Sequence, residues 1–145
     1  MEDDQSVEEN KALVRRIYGL CNPGEIASTY QFYAPGCIFH SLNGDSSVEQ
    51  VREFDSKVMA AFPDISYTLE DMIAEGDKVA WRTRFTATHQ AEFLGVAPTG
   101  KKIEMSYLAM VKIVDGKGVE YWTSVDVSRL MRQLGTSRPT GAEMK

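Results

Sequence analysis

The apolar residues of this chain change their period once, and that change limits the fold more than any other feature. Before Pro63 they recur every three or four positions. The groups are Leu13, Val14, Ile17, Tyr18 and Cys21, then Ile26, Tyr30 and Tyr33, then Val48, Val51, Phe54, Val58 and Phe62. This spacing lines one side of a helix. After Pro63 they recur every second position. Ile65, Tyr67 and Leu69 alternate with polar residues, and Val79, Trp81, Thr83, Phe85 and Ala87 form one face against Arg82, Arg84 and Thr88. This spacing lines one face of a strand. Helices first and strands afterwards predict an α+β domain. Three N-terminal helices are expected to pack on a strongly curved, mostly antiparallel sheet. A helix layer on such a sheet leaves a cavity where small molecules bind.

Local signals set the boundaries. Ser6 with Glu9, and Ser47 with Gln50, read as capping boxes. Asn22-Pro23-Gly24 stops the first helix and Pro63 the third. Cys37 to His40 is a short strand, and residues 90–102 are a loop whose Phe93, Leu94 and Val96 are expected to border the cavity entrance. Ile103 to Val114 is a long strand, apolar on both faces, which asks for cover on both sides. A second copy of the chain could supply the outer cover, so a homodimer is expected. Asp115-Gly116-Lys117-Gly118 is a hairpin turn, and Val119 to Asp126 returns as the last strand. One domain is expected over residues 1–135, with a frayed tail over 136–145.

The chain has 145 residues, enough for one domain with a core that needs no disulfide. Its net charge is −5 and no more than two basic residues are adjacent, which argues against nucleic acid or an anionic membrane as partner. Cys21 and Cys37 have no metal-ligand spacing, and two histidines far apart suggest no metal site. The acidic N-terminus has no apolar run behind it, so a cytoplasmic location is expected. There is no Gly-rich phosphate loop, and no nucleophile sits beside a base.

Acid–base chemistry in an apolar pocket remains. Asp126 shares a strand face with Trp122 and Ser124 if the last strand is unbroken. Facing inward it would be a proton-transferring carboxyl. Leaving the strand, it would cap a turn over Val127-Ser128-Arg129-Leu130, and spacing does not choose between the two. His40 is expected at the edge of the cavity. His89 continues the inward phase of Ala87. Either could donate to an oxyanion, or be a hydrogen-bonded structural histidine. Phe62, Trp81, Met105, Tyr107 and Trp122 are the expected lining of a substrate pocket, unless they are plain core.

At these residues the chain resembles the SnoaL-like polyketide cyclase family, part of the nuclear-transport-factor-two-like superfamily of cone-shaped α+β folds. The resemblance is carried by Ala61-Phe62-Pro63-Asp64, Thr88-His89-Gln90-Ala91-Glu92-Phe93 and Gly95 to Lys101. Asp115-Gly116-Lys117, Glu120-Tyr121-Trp122 and Asp126 complete it. It implies an acid–base enzyme without metal or cofactor, acting on a small hydrophobic carbonyl or polyketide-like compound by aldol closure, dehydration or isomerisation. It implies Asp126 as the acid–base residue. A non-catalytic binding module of the same fold is the alternative. The family's pocket histidine on the preceding long strand has no counterpart here: residues 103–114 contain none, and Lys112 is the nearest ionisable group. Ala87 replaces the family's glycine before the Thr-His pair.

Overall fold

The computed structural model describes residues 4–136. The elements run α1 (Asp4–Gly19), a 3-10 turn (Ile26–Phe32), β1 (Tyr33–Ser41), β2 (Gly44–Ser47), α2 (Val48–Ala61), β3 (Ser66–Glu75), β4 (Lys78–Thr88), β5 (Lys102–Val114), β6 (Lys117–Thr123) and α3 (Val127–Gln133). The architecture is the expected α+β one. The six strands form one sheet in the order β2-β1-β6-β5-β4-β3. All neighbours are antiparallel except β1 and β6, which run parallel. The sheet curls without closing.

Several boundaries differ from the sequence reading. Helix α1 already includes Asp4, so Ser6 lies inside it and not at its cap. The second helix is a 3-10 turn. The box at Ser47 is present in full: the Ser47 hydroxyl accepts from the Gln50 amide, and the Gln50 side chain accepts from the Ser47 amide. The last strand stops at Thr123, and the expected tail lies outside the described residues beyond Thr136.

Alternation divides the sheet into two faces. On the inner face, Val79, Trp81, Thr83, Phe85 and Ala87 of β4 stand opposite Val111, Ala109, Tyr107, Met105 and Ile103 of β5. Tyr121 lies opposite Val111, and Phe39 opposite Tyr121. Two apolar clusters cover this face. Toward one end, Val14 of α1 packs with Val79, Trp81, Val111 and Ile113. Toward the other, Met59 of α2, Phe62 at its C-cap, Phe93 of the loop, and Leu130 and Met131 of α3 pack on Phe85, Met105 and Ile103. Tyr107 touches both clusters and so marks the middle of the cone.

The segment after β4 is clasped to the end of α2. The Gln90 and Ala91 amides donate to the Ala61 carbonyl, and Asp64 accepts from the Thr88 amide and hydroxyl at 2.7 Å each. Leu94 (φ 49°) and Gly95 (φ 86°) turn the loop so that Phe93 enters the core, with Leu94 and Val96 packed beside it. The loop is thus part of the cone's floor. At Gly118 an added Cβ would lie 2.7 Å from the Tyr33 ring, so glycine is what lets that ring rest on β6.

Candidate functional site

Five tyrosines and a tryptophan converge between the two clusters. Tyr18 comes from α1, Tyr33 from the start of β1, Tyr67 from β3, Trp81 from β4, Tyr107 from β5 and Tyr121 from β6. The hydroxyls of Tyr18 and Tyr107 are 2.7 Å apart. The Tyr18 ring meets Tyr67 and Trp81 edge-on at 5.7 Å each, and Trp81 meets Tyr121 at 5.8 Å. Burial pushes the hydroxyls of Tyr18, Tyr33, Tyr67, Tyr107 and Tyr121 well above the usual tyrosine range. They stay protonated at any ordinary pH and act as neutral hydrogen-bonding groups. A cavity of about 10 Å³, room for one water, remains beside Tyr18, Tyr33 and Trp81.

Asp55 brings a carboxylate to this interior. It lies on α2 and accepts a 2.6 Å hydrogen bond from the Tyr30 hydroxyl. Burial raises its carboxyl to about 6, although the Tyr30 bond acts in the opposite direction. The residue is half-buried, and its charge acts on Cys21, Tyr33 and Tyr67. Arg52 does not neutralise it by direct pairing; its guanidinium sits over the Tyr30 ring, 5.3 Å from the centroid. The Cys21 thiol is pushed up to about 12 by burial and donates to the Ile17 carbonyl, so it is no nucleophile.

The residues singled out from sequence are scattered. Asp126 is exposed just beyond β6, and its carboxylate accepts from the Arg129 amide at 3.1 Å, capping α3. Of the two geometries open to it, the cap is the one formed. The reason is that β6 ends three residues earlier, so strand alternation no longer sets its direction. Trp122 does not line the interior. Its register partner is Met110, which shares the outer face with Ala80 and Arg82. His40 lies on that outer face too, not at a cavity edge. Its ring stacks on Trp122 at 5.5 Å and bridges Asp45 (2.8 Å) and Glu120 (2.6 Å). The two carboxylates raise it above the usual histidine range. One residue of register separates it from Phe39, which does point inward.

His89 points inward as its phase requires, but it is walled in. Its Nδ1 contacts the Thr99 hydroxyl at 3.0 Å and accepts from the Thr99 amide at 3.2 Å, and Phe62 packs on the ring at 5.4 Å. Burial lowers its pKa, so it is neutral and holds the loop. Phe62 and Met105 are core residues of the floor. Trp81 and Tyr107 are the members of the expected lining that reach the tyrosine cluster. Among the described residues, no three His, Cys, Asp or Glu side chains are placed to hold a metal.

Sequence reasoning missed Asp55. The signal was there: Val51, Asp55, Val58 and Phe62 are spaced by four, three and four, so a carboxylate occupies the apolar stripe of α2. Tyr18 and Tyr30 occupy apolar positions of helical patterns, and their spacing does not tell that their hydroxyls bond Tyr107 and Asp55.

The fold agrees with comparisons against known proteins. The SnoaL-like polyketide cyclase family model matches residues 11–134, and the chain belongs to this family. AclR of Streptomyces galilaeus, a proposed hydroxylase, is 31% identical with a TM-score of 0.83, over 89% of this chain and 97% of that one. IdmH of Streptomyces antibioticus, a proposed polyketide cyclase, is 30% identical with a TM-score of 0.76, over 88% and 99%. A SnoaL-like protein of Jannaschia sp. CCS1 shares the fold at 21% identity, with a TM-score of 0.82 over 97% and 99%. No curated protein matches the sequence. No helix among the described residues is long and apolar enough to cross a membrane.

Proposed function

We propose that the chain is an acid–base enzyme, working without metal or organic cofactor on a small hydrophobic carbonyl or polyketide-like compound held in the cone. The observation that carries this reading is Asp55, a carboxyl raised to about 6 inside an aromatic interior. At neutral pH it is mostly ionised, yet desolvated, which makes it a competent base. It would remove a proton from the carbon next to the carbonyl and return it later as the acid. Aldol closure, dehydration and isomerisation all begin with that step. Two relatives near 30% identity are named for different chemistries, a hydroxylase and a cyclase, so membership alone does not fix the reaction.

Asp126 serves in this reading as the α3 cap, and the two carboxylates are separated by one assay. Exchange of α-protons for deuterium in an aryl ketone such as α-tetralone, followed by NMR, needs no knowledge of the natural substrate. The rate should rise with pH through about 6 and level off, since the ionised form is the active one. Asp55→Asn should lower it by about 10²–10⁴-fold. A wild-type chain that does not accelerate exchange favours the non-catalytic binding module. An Asp126→Asn chain with that loss, and Asp55→Asn without it, returns the role to Asp126.

Self-association through the outer sheet face belongs to the same proposal. Ile38 and Leu108 are exposed there, with Met110 and Trp122 beside them, and a second copy would cover them. Sedimentation that finds a monomer at micromolar concentration removes this part.

A further inference from the structure

We propose that the 3-10 turn Ile26–Phe32 is the lid of the cone, latched by the hydrogen bond from Tyr30 to Asp55, and that the movement which admits a ligand also uncovers that carboxylate. On the reading that Asp55 serves a carbonyl compound held in the cone, this turn is the way in.

With the turn in place, the space beside Tyr18, Tyr33 and Trp81 is about 10 Å³, enough for one water. A small-molecule pocket is typically roughly 300–1,000 Å³, so a wall has to move. Most walls are held firmly. β4, β5 and β6 are neighbours in one antiparallel ladder. α1 is held by buried Val14 and Ile17 and by the Tyr18 hydroxyl against Tyr107. The floor is clasped by the Ala61 carbonyl and by Asp64 on Thr88. What remains is the 3-10 turn with Tyr33 at its C-cap, and Phe32 and Tyr33 form one side of the space.

The turn is lightly tied. Among the described residues, two hydrogen bonds join it to other elements: the Tyr30 hydroxyl donates to Asp55 at 2.6 Å, and the Lys117 ammonium donates to the Gln31 carbonyl at 2.7 Å. The side chains of Ser28, Thr29 and Gln31 donate to carbonyls of the same segment, at Glu25, Ile26 and Ser28. Arg16 of α1 and Arg52 of α2 lie over the Phe32 and Tyr30 rings at 5.0 and 5.3 Å, contacts that tolerate sliding. Both ends of the segment can bend. Exposed Pro23-Gly24 precedes the turn and exposed Pro35-Gly36 follows it. The second pair falls where the register of β1 on β6 shifts, between Tyr33 and Ile38, so strand pairing does not brace it. A segment held in this way opens at less cost than global unfolding. One segment thus carries both covers, Phe32 and Tyr33 over the space and Tyr30 over the carboxylate.

Cys21 reports on the opening, because its half-buried thiol lies within electrostatic reach of Asp55, Tyr30 and Tyr33. Its alkylation by iodoacetamide, followed by mass spectrometry, needs no ligand. Tyr30→Phe keeps the ring and removes the latch. It should speed Cys21 alkylation about tenfold, the effect of losing a hydrogen bond to a charged group, while amide exchange across β4 and β5 stays unchanged. Affinity for α-tetralone should rise by the same factor, because a ligand that needs the open form is weakened by the fraction of time the lid is shut. Lys117→Met removes the second tie and should move both readings the same way by less; it decides the matter if Tyr30→Phe does not fold. Unchanged Cys21 alkylation in the variants, or faster alkylation without tighter tetralone binding, would overturn the lid. Tighter binding in the variants from a chain that never accelerates deuteration leaves the lid standing and removes Asp55 as the base.

Discussion

The side-chain amide of Gln133 pairs with the backbone of Glu104 in both directions. Its Oε1 accepts from the Glu104 amide at 3.0 Å, and its Nε2 donates to the Glu104 carbonyl at 2.9 Å. β6 ends at Thr123, opposite Ala109, so the first half of β5 has no neighbour strand on that side. Gln133 on α3 stands in for the missing strand, and the Ser124 hydroxyl does the same for Leu108. Gln133→Leu should cost about 1–2 kcal/mol, the worth of two partly exposed hydrogen bonds. Amide hydrogen exchange should show loss of protection at Glu104 first. Unchanged protection there would mean that water replaces the side chain without cost.

Asp55 should trade stability for function. Its carboxyl is raised, so between the ordinary carboxyl range and about 6 the folded chain keeps a proton that the unfolded chain has released. Stability therefore falls as pH rises through that window, and the full cost is present above it. Asp55→Asn retains an acceptor for Tyr30 and removes the charge. It should gain about 1–2 kcal/mol at pH 8 and nothing at pH 4. Melting curves at the two pH values check this, and a variant that is less stable at pH 8 would contradict it.

Asp126→Ala should lower stability by about 1 kcal/mol through loss of the α3 cap. Asp126→Ser, which can still cap, should recover most of it. If both lose equally, the hydrogen bond to Arg129 is not the source of the effect.

His40 should titrate above the usual histidine range, and Glu120→Gln should bring it down, because Glu120 is the largest cause of the shift. The folded pKa is raised, so the stabilisation is complete below the unfolded value and disappears as pH rises through the folded one. An NMR titration of the ring protons in both proteins reads this directly. The same value in both would remove Glu120 as the cause.

Gly118→Ala should displace the Tyr33 ring, which lies 2.7 Å from where the new Cβ would be. Overpacking of this kind costs about 1–3 kcal/mol. Thermal melting checks the magnitude, and a ring-current shift of the Tyr33 resonances checks the cause.

The fold was legible because period alone distinguishes a helix face from a strand face, and α2 and β4 carry clean patterns. Alternation also told the inner residues of β4 from the outer ones. It failed at Trp122 and His40, because their direction depends on how β1 and β6 register against the rest of the sheet, and that is set by tertiary pairing. Asp126 was expected on a strand or at a cap, and only the end of β6 decides which. Asp55 was overlooked because a carboxylate on a helix is ordinary until the neighbours that desolvate it are known. Tyr30, its hydrogen-bond partner, and Tyr33 and Tyr67, on which its charge acts, come from three other elements.

The parallel pairing of β1 with β6 has a consequence for how the chain is made. β1 and β2 reach the rest of the sheet only through β6, so until residues 117–123 leave the ribosome the N-terminal hairpin is detached from its sheet. β3, β4 and β5 can pair as they appear, being consecutive and antiparallel. The central joint closes last, across the longest separation in the sheet. During synthesis the unpaired edge of β1, with Ile38 and Phe39 on it, is open to other chains. Yield in the cell is therefore expected to depend on how quickly the stretch between β1 and β6 is translated, and on chaperones that cover one strand edge in the interval.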